Sequence, residues 1–202
     1  MSIIIVRHGE TPLNIARVLQ PADTPLSERG AAQARAVARR LAAQSPKAIV
    51  SSDLPRALAT AQAIAAATGL PLRTTPLLHE RNFGELRGRA YDTLSFDPLT
   101  MEEAPPGGES AAAFRDRVAR AFEHIVAERA AAGGDLVVVT HGLVIRALLA
   151  HHVALAEDPA DLHIGNTCVT VIDAEPPHAA SLVDCSRHLD IDGEDAHALS
   201  GG

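Results

Sequence analysis

The sequence predicts an α/β fold on a mostly parallel sheet, and three observations predict it. The runs Ile3-Ile4-Ile5-Val6 and Leu136-Val137-Val138-Val139 are wholly apolar and short. Such runs read as strands buried on both faces, as parallel strands are. Strand-like and helix-like segments alternate along the chain, the pattern of helices packed on a parallel sheet. The 202 residues, 47% of them hydrophobic, suffice for one domain with a sizeable core.

The elements follow in order. After the first strand, residues 7–23 read as loop with one helical turn. Ser27 is placed to cap a helix, with Glu28 in its first turn. Ala34, Val37, Ala38 and Leu41 then fall on one helical face. Ala48-Ile49-Val50-Ser51-Ser52 reads as a second strand. Asp53 is the expected cap of a helix running to about residue 68, with Pro55 in its first turn and Gly69 and Pro71 ending it. A short strand over 72–75 comes next. Residues 80–109 show no sustained period and hold Gly84, Gly88, Pro98, Pro105, Pro106, Gly107 and Gly108; so long a loop in a compact domain is usually functional. A helix from 110 to about 132 carries Phe114, Val118, Ala121, Phe122 and Ile125 on one stripe and stops at Gly133-Gly134. The strand 136–139, a helix to about 152 and two strands near 168–173 and 181–186 complete a single domain over 1–189. Residues 190–202 are polar and acidic, end in Gly-Gly, and are expected to form a flexible tail.

Composition narrows the function. A net charge of -7 without a lysine-arginine block argues against nucleic acid or an anionic membrane as partner. Trp is absent, so stacking on nucleobases has little material. No stretch has the length of a membrane span, and the chain enters its first strand without a basic leader, so a cytoplasmic enzyme is the expectation. Cys168 and Cys185 are expected as reduced core thiols. Alanine-rich helices and an acidic surface fit a monomer and a homodimer equally.

The chemistry lies in Arg7-His8-Gly9 and Thr140-His141-Gly142, each at the end of an apolar strand. Ligands of open α/β sheets bind outside the carboxyl ends of the strands. Glycine after each histidine lets backbone approach a ligand closely. Arg56 opens a helix whose free N–H groups suit an anion, and with Arg7 it can grip a phosphoryl group bidentately. One histidine can be a neutral nucleophile if its other ring nitrogen donates to a carbonyl, while the other, protonated, stabilises the transferring group. Displacing an alkoxide also calls for a general acid. Glu80, Glu85, Asp92, Glu102, Glu103 and Glu109 are the candidates, and spacing alone does not choose among them. No metal-ligand spacing and no nucleotide-binding glycine motif is present, so neither metal nor cofactor is expected. His79, His124, His151, His152, His163, His178, His188 and His197 are expected at the surface or behind the site.

These residues resemble the histidine phosphatase superfamily, also called phosphoglycerate mutase-like. The resemblance runs through Val6-Arg7-His8-Gly9-Glu10-Thr11 with Asn14 and Arg17, Asp23-Thr24-Pro25-Leu26-Ser27 with Gly30, and Ser51-Ser52-Asp53-Leu54-Pro55-Arg56-Ala57. It continues in Glu80-Arg81-Asn82-Phe83-Gly84-Glu85, Pro106-Gly107-Gly108-Glu109-Ser110 and Val139-Thr140-His141-Gly142. Each motif is weak, but the set in this order is highly specific. It implies a three-layer α/β/α sandwich and transient phosphorylation of His8. Arg7, Arg56 and His141 would form a phosphate pocket, joined by Gly142, with Asn14 on the phosphoryl oxygens. Glu80 matches the family's proton donor, and family members need no metal.

Leu13, Leu19-Gln20, Leu86-Arg87-Gly88 and Leu143 depart from the common family pattern. None is in the catalytic set, but they alter the pocket walls. Arg87 and Arg89 are candidates to meet a second anionic group on the substrate. The leading expectation is a phosphoric monoester hydrolase of histidine acid type, acting on a small phosphorylated metabolite. The alternatives are a phosphoglycerate mutase, a phosphatase of phosphorylated proteins and, in another class, a non-catalytic phosphate-binding protein on the same fold.

Overall fold

A computed structural model describes residues 1–155 and 162–190. The expected tail from residue 191 onward lies outside the described residues. The elements are β1 (Ser2–Arg7), α1 (Pro12–Ile15), α2 (Glu28–Ala42), β2 (Ala48–Ser51), α3 (Pro55–Thr68), β3 (Leu72–Thr74), α4 (Ala111–Ala132), β4 (Leu136–Thr140), α5 (Gly142–His151), β5 (Val169–Asp173) and β6 (Ala180–Cys185). The segment between β3 and α4 contains only short 3-10 turns, at Pro76–Leu78, Gly84–Leu86 and Tyr91–Thr93.

The sheet order is β3-β2-β4-β1-β5-β6. The first four strands run parallel, whereas β5 and β6 are antiparallel to their neighbours. Alternation along the apolar runs explains the layers. Ile3, Ile5, Leu136 and Val138 pack against α4 and α5 through Val118, Ile125, Ile145 and Leu148. Ile4, Val6, Val137 and Val139 turn the other way, onto Val37, Leu41, Ala61 and Ile64 of α2 and α3. Helices therefore cover both faces, and the sandwich has three layers.

Ser27 caps α2 by accepting the Gly30 N–H at 3.0 Å, and Ser110 caps α4 by accepting that of Ala113 at 3.1 Å. Asp53 does not cap α3. The cap position is Leu54, without a side-chain hydrogen bond, because the Asp53 carboxylate turns away to pair with His79. The first turn of α2 crosses residues 9–10 so closely that a Cβ on Gly9 would lie 2.5 Å from the Gly30 carbonyl oxygen. Only glycine allows that approach, and it brings α2 against the segment bearing His8.

One expectation about a single residue, Cys185, needs correction. His188 is buried and stands behind the site, as one of its two expected placements has it, since Thr167 beside it donates its N–H to the His8 carbonyl at 3.3 Å. The His188 Nδ1 faces the Arg40 guanidinium at 3.2 Å, a group that can only donate, so the ring is neutral with its proton on Nε2, beside Thr167 Oγ1 at 3.1 Å. Burial and the Arg40 charge push its pKa down to about 4. Cys168 is a buried free thiol as expected, but Cys185 is only half-buried, within 3.3 Å of Arg40, whose contact helps lower its pKa.

Candidate active site

Register builds the site. In the β1–β4 pair Arg7 stands opposite Thr140, so the next residue on each strand is a histidine. The His8 N–H donates to the Thr140 carbonyl at 2.9 Å, extending the ladder one step. The two imidazoles meet with ring centroids 5.1 Å apart. A cavity of about 220 Å³ opens beside them at the carboxyl ends of the strands, where α/β folds bind ligands.

Arg7, His8, Asn14, Arg56, Glu80 and Gly142 all line this cavity. His141 sits fully buried against His8, behind the lining residues. Arg87, Arg89, Glu85, Asp92, Glu102, Glu103 and Glu109 do not line it. Of the six candidate acids, geometry brings Glu80 alone to the cavity. Glu109 is instead paired with Arg117 at 2.8 Å, and Glu102 with Arg115 at 3.4 Å. His163 is exposed, as expected, and also lines the cavity.

Each side chain is held for a local reason. His8 Nδ1 lies 2.7 Å from the Gly9 carbonyl oxygen. A carbonyl only accepts, so Nδ1 carries the proton and Nε2 presents a lone pair. Burial, then the charges of Arg7 and Arg56, hold this imidazole well below the usual histidine pKa. His141 Nε2 is 2.9 Å from Ser52 Oγ, and its pKa is likewise pushed well down, by burial first and then by His8 and Arg56. Thr11 caps α1 by a reciprocal box: its Oγ1 accepts the Asn14 N–H at 3.0 Å, and its own N–H donates to Asn14 Oδ1 at 3.1 Å. That box occupies Oδ1 and leaves the Asn14 Nδ2 donor for the cavity.

Arg7 donates from Nη1 to the Ile164 carbonyl at 2.5 Å, and Arg56 from Nη1 to that of Pro21 at 3.3 Å. Burial lowers both guanidinium pKa values, that of Arg56 to about 10, so Arg56 stays cationic at neutral pH. Glu80 Oε2 accepts the Leu143 N–H at 3.2 Å in the first turn of α5, and Oε1 accepts the Arg81 N–H at 3.0 Å. A carboxylate at that helix end meets free N–H groups and the positive end of the dipole.

Two guanidinium donors, Arg7 Nε and Arg56 Nε, and one ring nitrogen, His141 Nδ1, are buried here without a partner. A buried unmade hydrogen bond is costly, and an oxyanion is the chemical complement of such a cluster. Among the described residues no three His, Cys, Asp or Glu side chains are grouped to hold a metal ion. No described helix is long and apolar enough to cross a membrane.

Sequence reasoning missed Ser52 as the partner of His141, although it had singled out the motif that contains it. It also missed Thr60, which accepts the Gly9 N–H at 3.0 Å and so ties α3 to the histidine loop. Asn166 left no local signal. It stands 158 residues beyond His8, yet its Nδ2 donates to the His8 carbonyl at 3.1 Å.

Comparison with known proteins gives the family of the chain. A protein of Yersinia pestis named "Probable phosphoglycerate mutase GpmB" is 34% identical, covering 90% of this chain and 89% of its own. The structure of a mycobacterial glucosyl-3-phosphoglycerate phosphatase complexed with VO3 superposes with a TM-score of 0.74 at 32% identity, covering 85% of this chain and 90% of that one. A phosphoserine phosphatase variant from Entamoeba histolytica, with phosphoserine bound, gives 0.77 at 25% identity, covering 93% and 98%. The family model of the histidine phosphatase superfamily, branch 1, matches residues 3–183. The chain belongs to that superfamily.

Proposed function

We propose that the protein is a metal-independent phosphomonoester hydrolase of small phosphorylated metabolites, working through a phosphohistidine on His8. The observation that carries this reading is the His8 ring: Nδ1 is committed to the Gly9 carbonyl, and Nε2 is free at a cavity shared with Arg7 and Arg56. Nε2 attacks phosphorus. The ester P–O bond breaks, its electron pair stays on the alcohol oxygen, and Glu80 supplies the proton. Water then attacks the phosphohistidine, Glu80 takes the water proton, and the P–N electron pair returns to Nε2. Arg7, Arg56 and the Asn14 amide hold the phosphoryl oxygens. The Ser52 hydroxyl, donating to His141 Nε2, leaves the Nδ1 proton as a further donor.

The test is phosphate release from a panel of phosphomonoesters with chelator present, for wild type and His8→Ala. Release that survives the chelator and vanishes in the variant is the expected result. Release by His8→Ala at the wild-type rate would overturn the nucleophile assignment. The name of the Yersinia relative favours a second reading, in which the phosphoryl group returns to the bound alcohol. Interconversion of 3- and 2-phosphoglycerate faster than phosphate release would replace hydrolysis with that reading.

A further inference from the structure

We propose that Arg146 is the docking cation for a second anionic group on the leaving alcohol, so that the preferred substrate is a phosphomonoester of an acidic alcohol. This rests on the phosphomonoester reading of the inner site.

On α5, Arg146 follows Gly142 by four residues and Leu143 by three, which puts the three on one helical face. All three line the cavity. Of the lining residues His8 and Arg56 are buried, Arg146 and Tyr91 half-buried and His163 exposed. A second cavity, of about 240 Å³, begins at Arg146 and runs over Leu143, Ala147 and Ala150. Arg146 therefore stands where the two cavities meet, together with Arg81, Leu99 and Leu143.

Among the described residues its guanidinium has no partner. Arg7, Arg56 and Arg81 each donate to a backbone carbonyl, of Ile164, Pro21 and Met101 respectively. Arg146 makes no hydrogen bond or ion pair with any described residue. Its charge instead opposes that of Arg7. The cavity lining holds four arginines and one carboxylate, Glu80; Arg81 also lies near Glu109 and Glu102, whereas Arg146 has no carboxylate partner among the described residues. The guanidinium fork matches a carboxylate or phosphate on the substrate. Arg87 and Arg89, the candidates read from the sequence, do not line the cavity, and Arg89 is exposed.

The experiment compares matched esters: 3-phosphoglycerate against glycerol 3-phosphate, and fructose 1,6-bisphosphate against fructose 6-phosphate. The first pair tests a carboxylate and the second a phosphate as the second group. Wild type should favour the acidic member of one pair in kcat/KM by about ten-fold or more, the scale of one charged hydrogen bond. Arg146→Gln should collapse that ratio, mainly through KM, and Arg146→Lys should restore part of it. No preference in either pair, or a preference untouched in Arg146→Gln, overturns the proposal. Absence of turnover of every ester by wild type would sink the hydrolase reading instead. In that event the ratio of binding constants for the same pairs decides the subsite, read from the fluorescence of Tyr91, the only tyrosine in a chain without Trp.

Discussion

The His8 and His141 imidazoles face each other with their ring planes inclined at 58°. Both are buried and both are held neutral, with Arg7 and Arg56 beside them. Such a pair is electrostatically incomplete without an anion. A dianion that enters offsets the charges of Arg7 and Arg56 and so favours proton uptake by the pair, against the burial that remains the larger cause of their lowered pKa values. Sulfate is a suitable probe because it stays a dianion across neutral pH. Its affinity should rise as pH falls from 8 to 6, by up to about ten-fold per pH unit for each proton taken up. The pH dependence of its inhibition constant measures this. A constant that does not move with pH would mean that the pair binds no proton with the anion.

Glu80 is the one carboxylate at the cavity, and both its oxygens are oriented by backbone N–H groups. Glu80→Gln keeps the size and an acceptor oxygen but has no acidic proton. The expected loss in kcat on alkyl esters is about 10²–10⁴-fold. Aryl esters with good leaving groups need less protonation and should lose much less in the step that releases the alcohol. Pre-steady-state release of 4-nitrophenol compared with an alkyl phosphate separates the two; equal losses would argue that Glu80 only orients.

Three buried histidines, His8, His141 and His188, have folded-state pKa values below the ordinary value of 6.5. Below pH 6.5 the unfolded chain therefore binds protons that the folded chain refuses. Stability is complete above 6.5 and falls as pH drops toward about 4, where His188 titrates. Each histidine contributes a slope of at most about 1.4 kcal/mol per pH unit. Urea unfolding should show a lower midpoint at pH 5 than at pH 7, and saturating sulfate should shrink the difference by stabilising the protonated site. Equal midpoints would contradict the burial of neutral rings.

Asp184 reaches the site through one strap of chain. Its Oδ1 accepts the Gly165 N–H at 2.7 Å, and residues 164 and 166 of that strap hold Arg7 and the His8 carbonyl. Asp184 itself sits at φ 48, in the left-handed region that Asn and Gly tolerate. Asp184→Asn keeps both the acceptor and the backbone fit, while Asp184→Gly keeps only the fit. The glycine variant should lose about ten- to hundred-fold in kcat/KM, the range expected of misplaced reacting groups, and the asparagine variant far less. Kinetics alongside melting temperatures test this. Equal activities in the two variants would show that the strap positions nothing.

Local pattern was legible wherever a side chain's role depends on its near neighbours. The apolar runs announced the central strands, Ser27 announced α2, and glycines ended α3 and α4. The two histidines at strand ends and the arginine at a helix start were readable for the same reason, and their resemblance to a family supplied roles that spacing left open. Asp53 misled because its carboxylate had two uses, capping α3 or pairing with His79, and only the fold brings His79 within reach.

The sequence by itself thus determined the elements, their alternation and the residue types at the carboxyl edge of the sheet, because periodicity and capping act over a few residues. Tertiary structure alone decided that Ser52 and Asn166 hold the histidines and that Arg146 rather than Arg87 or Arg89 lines the cavity, and it brought Glu80, which the resemblance had singled out, to the cavity of His8. Those relationships depend on strand register and on helices crossing at close range, and the Asn166 contact joins groups separated by 158 residues. No local rule spans such a distance; packing the two faces of one sheet does.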